Sequence, residues 1–367
     1  MQQQTSNISL IINDHDAKRL PWLDLASGIM ILWMIVYHAI IAVWGYELRD
    51  LAGITDASLL PKGVHAFIND KGELRVLNPC VVFPWLCFFM PWFFYKSGQL
   101  FAKRSIKDLW KKDSHKLLKT FMIWSAIGYV FYLLIGWLCD TMTLRNATYS
   151  VIRGLFLTGK IPINTPLWFL LTLFSVRFLA NLFLPERGDK NAVWKILSIL
   201  AIGYVISFLA FRFNHRLMPY WVANGAAGLS FFALGYALRD WEQKLWIILP
   251  SIVVYMVGCI WGFPTVDMWP NELLAGHYLL WVPVSLCCIV VFNAVCRWLV
   301  GFVQIKPIEW VGKNAMTIYV VHYVLLVSVT TLLEHYVVQI VASGLFCIIL
   351  LAYALILPVC CWINLRI

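Results

Sequence analysis

The stretch Trp22-Leu23-Asp24-Leu25-Ala26-Ser27-Gly28-Ile29-Met30-Ile31-Leu32-Trp33-Met34-Ile35-Val36-Tyr37-His38-Ala39-Ile40 decides how the chain is read. As a helix it is long enough to cross the roughly 30 Å hydrocarbon core of a bilayer, which takes about 20 residues. It nevertheless carries Asp24 near its start and His38 seventeen residues beyond Pro21, about 25 Å along the axis at 1.5 Å per residue. An ionisable group in hydrocarbon costs about 2.5 kcal/mol or more, so His38 is expected to face protein or a water-filled cavity in the outer half of the span. That makes it the first candidate for chemistry. The plainer alternative is a histidine hydrogen-bonded between helices.

The rest of the chain agrees with a membrane setting. Of 367 residues, 61% are hydrophobic and 13% charged, against about 25% charged in a soluble domain. Hydrophobic runs at approximately 22–45, 81–101, 120–139, 166–184, 194–211, 222–238, 245–262, 277–297, 313–333 and 341–363 are each near spanning length. The expectation is an all-α polytopic membrane protein with about ten transmembrane helices, forming one domain over 1–367. Residues 1–20 would be a short tail. Lys18-Arg19 resembles the charged start of a signal peptide, but the apolar run after it is too long and lacks a small-residue cleavage site. No repeat at a fixed period is visible, which argues against a duplicated transporter.

Basic residues orient the chain. With the amino terminus inside, eighteen of the 29 Lys and Arg fall in inner segments, nine in outer loops, and Lys96 and Arg177 within spans. By the positive-inside rule both termini are cytoplasmic. This distribution also accounts for the net charge of +10 without nucleic acid as a partner. Most of the ten cysteines lie in apolar runs with no paired C-x-x-C spacing, so no metal site is expected. Cys80 and Cys139 fall near one predicted membrane face, and their pairing is left open. Two outer loops, 46–80 and 140–165, are long; the second contains a half-apolar piece from Tyr149 that suits a re-entrant or surface helix as well as an ordinary connector.

The remaining polar groups cluster. The second span ends with Lys96, Ser97 and Gly98, followed by the most basic segment, Lys103, Arg104, Lys107, Lys111, Lys112, His115, Lys116 and Lys119. Such charge suits the phosphates of a nucleotide or coenzyme, and equally an anchor on anionic headgroups. Arg177, mid-way along the fourth span, needs an anion, and Asp24 is one partner to consider. The ninth span opens with Lys313, Asn314, Thr317, Tyr319 and His322, either a packed polar seam or the lining of a ligand site, with His322 near the midplane.

In order and spacing these segments resemble acyltransferase family 3, integral membrane proteins that include bacterial polysaccharide and lipopolysaccharide O-acetyltransferases. The resemblance is carried by Leu23-Asp24 with Gly28 and His38, by Phe93-Phe94-x-x-Ser97-Gly98, by the basic segment, by Leu167-Trp168-Phe169-Leu170, and by Gly312-Lys313-Asn314-Ala315-Met316-Thr317-Ile318-Tyr319-Val320-Val321-His322. It implies ten core helices in a bacterial inner membrane and transfer of an acyl group, usually acetyl from acetyl-coenzyme A, to a sugar hydroxyl. The family's first-span pattern of a basic residue, ten residues and a histidine maps the histidine onto His38, but Ser27 stands at the basic position. Its Arg-x-x-Arg is not literal here; Lys112, Lys116 and Lys119 are the nearest equivalents.

The expected catalytic group is therefore His38 with Asp24, Tyr319 and His322. The expected donor contacts are Lys96, Ser97, Lys103, Arg104, Lys112, Lys116, Lys119, Arg177, Lys313 and Asn314. His38 would act as general base or as nucleophile. No permanent cofactor is implied; acyl-coenzyme A is a substrate, the acceptor a glycan or lipid-linked sugar, and a homodimer is left open. The competing class is a transporter in which His38, Arg177 and His322 relay protons, and a purely structural subunit leaves the motifs unused.

Overall fold

The computed structural model describes residues 20–50, 66–68, 74–76, 88–139, 144–159, 161, 163–186, 188–213, 219–261, 275–336 and 342–362. The tail to residue 19, Cys80, residues 81–87 of the expected second span and most of the 46–80 loop lie outside them. The long helices are α1 (Pro21–Asp50), α2 (Phe89–Gln99), α3 (Ile106–Asp113), α4 (Lys119–Leu138), α5 (Leu144–Arg153), α6 (Trp168–Phe183), α7 (Ala192–Arg212), α8 (Tyr220–Leu238), α9 (Leu245–Trp261), α10 (Ala275–Val300), α11 (Lys306–Lys313), α12 (Ala315–Tyr336) and α13 (Ala342–Trp362). A helix occupies each of the ten intervals marked by hydropathy. Seven described stretches are long and apolar enough to cross a membrane, and α9 is a shorter apolar helix. Two three-residue strands, β1 (Ala66–Ile68) and β2 (Leu74–Val76), pair antiparallel within the first long loop and leave the all-α class unchanged.

Burial separates centre from rim. In α1, 61% of the spanning window is buried, against 17% in α7, so α1 is a core column and α7 faces outward. The core column is set by close backbone approach. A Cβ on Gly28 would overlap the carbonyl oxygen of Ile308, and one on Gly312 would overlap that of Asp24, so α1 and α11 lie backbone to backbone. Likewise Gly98 meets Phe232 and Gly235 meets Tyr95, drawing α2 against α8. Small residues at such crossings let apolar helices gain packing where lipid supplies no hydrophobic drive.

Two breaks matter for the site. The expected ninth span, read from residue 313, falls on α12, and a separate helix, α11, precedes it: Pro307 opens α11, and Asn314 ends it by donating from Nδ2 to the Trp310 carbonyl at 2.9 Å. The basic segment is helical rather than a loop. Ser105 caps α3, its Oγ accepting from the Asp108 N–H at 3.1 Å. A π-helical turn, Ser114–Leu118, joins α3 to α4. The half-apolar piece from Tyr149 continues α5 through a second π-turn, Gly154–Thr158. Cys139 is a free, buried thiol, and its pairing with Cys80 lies outside the described residues.

Because Gly28 and Gly312 face backbone that cannot rotate away, Gly312→Ala should destabilise the protein by about 1–3 kcal/mol. Thermal unfolding in detergent checks this, and an unshifted midpoint would show that α1 and α11 can separate without loss.

Candidate active site

The column formed by α1, α11 and α12 brings the two span histidines into contact. His322 Nε2 lies 3.2 Å from His38 Nδ1, with ring centroids 5.1 Å apart. His322 Nδ1 lies 2.7 Å from the Tyr319 carbonyl one turn earlier. A carbonyl only accepts, so His322 donates from Nδ1 and its neutral ring keeps the Nε2 lone pair. That lone pair takes the proton on His38 Nδ1, and the neutral His38 ring then carries its own lone pair on Nε2. The Tyr319 carbonyl thus sets the tautomer of both rings. Counting along separate spans had put the histidines at different depths. They meet because α11 already runs beside α1, so Gly28 pairs with the α11 end of the column and each histidine follows ten residues after its glycine, Gly28 or Gly312.

Aromatic rings enclose the pair. Tyr37 and Tyr323 present edge-on rings to His38 at 5.3 and 5.1 Å, while His38 itself stays half-buried and His322 is fully buried. Tyr353 on α13 donates to the His322 carbonyl at 3.2 Å. Residues 163–167 press onto α12. Ile163 takes a left-handed backbone at φ 64°, an uncommon state for a β-branched residue, and its side chain is buried beside Ile135, Cys139 and Val324. Next to it, Asn164 Nδ2 donates to the Val320 carbonyl at 3.0 Å, and Tyr319 donates its hydroxyl to the Pro166 carbonyl. Asn164 is fully buried, and its Oδ1 finds no partner among the described residues. Tyr319, expected in the catalytic set, therefore contributes its carbonyl to the histidines and spends its hydroxyl on the clamp.

Toward the other end of α1, Lys96 Nζ donates to Ser27 Oγ at 2.6 Å, and Ser27 in turn bonds the Leu23 carbonyl. Lys96 also lies over the Trp92 ring at 5.2 Å and feels the Asp24 charge. A cation from α2 thus stands at the position where the resemblance expects one on α1. Ser27 and His38 are eleven residues apart, about 16 Å along the helix. Asp24 belongs with this cation rather than with the histidines.

Arg177 does not pair with Asp24. Its Nε reaches Asp113 Oδ2 at 2.8 Å and its NH1 reaches Ser97 Oγ at 3.1 Å, because α3 packs across α6 and turns buried Asp113 inward. Lys112, Lys116 and Lys119 sit exposed on the same helical run. Lys103 donates to the Leu184 carbonyl at 2.7 Å, and the Arg104 backbone N–H donates to Asn181 Oδ1 at 3.0 Å, leaving the Arg104 side chain exposed. Lys313 is exposed at the α11 end, where Asn314 serves as a cap.

A second buried network was not foreseen. Fully buried Glu242 pairs with Arg297 NH2 at 2.9 Å, accepts from Asn293 Nδ2 at 2.6 Å and accepts from Gln99; Asn293 also accepts from Trp92 Nε1 at 2.8 Å. Arg297 also stacks over Trp22 at 3.9 Å. No spacing signal marked these residues, since they come from three helices and a turn. Among the described residues no group of three or more His, Cys, Asp or Glu side chains could hold a metal ion.

Comparison with known proteins is consistent with this frame. A family model described as an acyltransferase domain, that of acyltransferase family 3, matches residues 20–365. No curated protein matches. No solved structure matches. With the family match covering nearly the whole helical frame, the chain belongs to acyltransferase family 3 and is a multi-pass membrane acyltransferase.

Proposed function

We propose that the protein moves an acyl group, most simply acetyl, from acyl-coenzyme A to a hydroxyl of an extracytoplasmic acceptor such as a glycan or lipid-linked sugar, with His38 as general base. The observation that carries this reading is the hydrogen-bonded run from the Tyr319 carbonyl through His322 to His38, which leaves the basic lone pair on His38 Nε2. His38 takes the proton of the acceptor hydroxyl as its oxygen attacks the thioester carbonyl. The carbon–sulfur bond then breaks, and the leaving thiolate takes that proton, giving the ester and free coenzyme A. His322 is a positioning residue, holding His38 in the reactive tautomer as a carboxylate does in other bases.

The donor would enter from the basic side. Exposed Lys112, Lys116 and Lys119 suit its phosphates, and Lys96 at Ser27 stands between them and the histidines. A flexible arm then has about 16 Å of helix to cover from Ser27 to His38. With basic segments inside, both termini are cytoplasmic, and a bacterial inner membrane is the setting that the family resemblance implies. The transporter reading is less well supported, since Arg177 is bound by Asp113 and Ser97 while the histidines bind each other.

Labelled acetyl-coenzyme A with purified enzyme and candidate glycans tests the assignment. His38→Ala should lower kcat by about 100-fold or more, and an unchanged rate would overturn the role of His38. His322→Ala should lower kcat about tenfold or more with little change in KM and should displace the acidic limb of the pH profile, as loss of a ligand-orienting partner does. Lys96→Met should cost about tenfold in kcat/KM, and the exchange Ser27→Lys with Lys96→Ser should recover part of it, one pK-scale step of electrostatics being about 1.4 kcal/mol. Removing Lys112, Lys116 and Lys119 should raise KM for the donor while leaving kcat; unchanged KM would make this face a membrane anchor only.

A further inference from the structure

A slot separate from the histidines opens on the rim between α6, α7 and α8. It encloses about 1130 Å³. Its mouth is polar: Lys103, Glu186, Asp189 and Lys195 surround it, and the loop there turns through Gly188 at φ 82°. Its length is apolar, running past Leu182, Ile199 and Ile202 to Ile206, Val222 and Ala226. Trp194 and Ile202 are more than half exposed, so the slot is open along the outward side of a helix that is only 17% buried.

We infer that this slot holds one zwitterionic membrane phospholipid, a phosphatidylethanolamine, from the leaflet that meets the basic segment. Lys195 to Ile206 is eleven residues, about 16 Å of α7, or half of the roughly 30 Å hydrocarbon core. One acyl chain of one leaflet fits that depth. The slot is floored by α8, whose Ser230 shares a 2.6 Å hydrogen bond with Tyr278 of α10 beside Gly203. Among the described residues that line it, the mouth presents two ammonium groups and two carboxylates, which match the phosphate and the ammonium of such a headgroup. Lys195 holds Asp189 at 2.6 Å, and with the Asn191 N–H it keeps that carboxyl below the usual range and so ionised. Glu186 is exposed at the rim, and Lys103 is already steadied on the Leu184 carbonyl. The inference rests on the membrane-spanning reading and is independent of which acyl donor is used.

The test is native mass spectrometry of the detergent-purified protein, titrated after delipidation with phosphatidylethanolamine, phosphatidylcholine or phosphatidylglycerol. One phosphatidylethanolamine per chain should be retained about tenfold more tightly than either competitor, a difference of about 1.4 kcal/mol. Ser198→Trp and Ile202→Trp, which fill the slot from exposed positions, should lose it, and Glu186→Gln with Asp189→Asn should abolish the headgroup preference without closing the slot. Equal retention by the tryptophan variants, preference for phosphatidylglycerol, or a lipid-free dimer that the tryptophans split would each overturn the assignment, the last in favour of a second copy of the chain.

Discussion

The hydrogen bond from His322 to the Tyr319 carbonyl orders everything around it. A ring nitrogen taken fully out of water has to be paired, because an unmet donor costs about 1–3 kcal/mol. The nearest acceptor is the backbone one turn before, so Nδ1 becomes the donor. Every later proton position follows by elimination, ending at the lone pair on His38 Nε2. A second helix must then hold its histidine at the matching height. Gly28 and Gly312 do this by letting α1 and α11 touch through their backbones, and the 163–167 turn keeps α12 from rotating by gripping Val320 and Tyr319.

Charge is divided between two uses. Asp113 with Arg177, and Glu242 with Arg297, are paired inside and tie α3 to α6 and the α8–α9 turn to α10. Breaking such a pair by removing one member leaves a stranded charge, which costs about 3–5 kcal/mol. The lysines on the outer surface of α3 and α4 have no such obligation and remain available to solvent and ligand. Lys96 lies between the two classes, half-buried, bonded to Ser27 and stacked on Trp92.

Placing the cation on α2 instead of α1 shows how the same local chemistry arises from different positions. Ser27 is small and fully turned inward, so it leaves room for a long side chain from the neighbouring helix and supplies an oxygen to receive it. A single-chain pattern search looks only along α1 and sees a gap at Ser27. The side chain that fills it is 69 residues away.

Apolar runs and the order of short motifs were enough to read an all-α membrane acyltransferase, because spanning length and the cost of burying charge act locally along the chain. The helical break at Asn314 was not legible, since both sides of it are helix-forming, and so His322 was read at a different depth from His38. Arg177 was seen to need an anion, but its identity as Asp113 depended on how α3 crosses α6. Glu242, Asn293 and Asn164 gave no signal at all: Glu242 and Asn164 lie in turns and Asn293 within α10, ordinary polar residues until packing buries them. Sequence alone determined what each helix is and which groups are too costly to leave in lipid; the tertiary structure decided which of those groups meet, because hydrogen bonds between helices depend on crossings and heights that no linear spacing encodes.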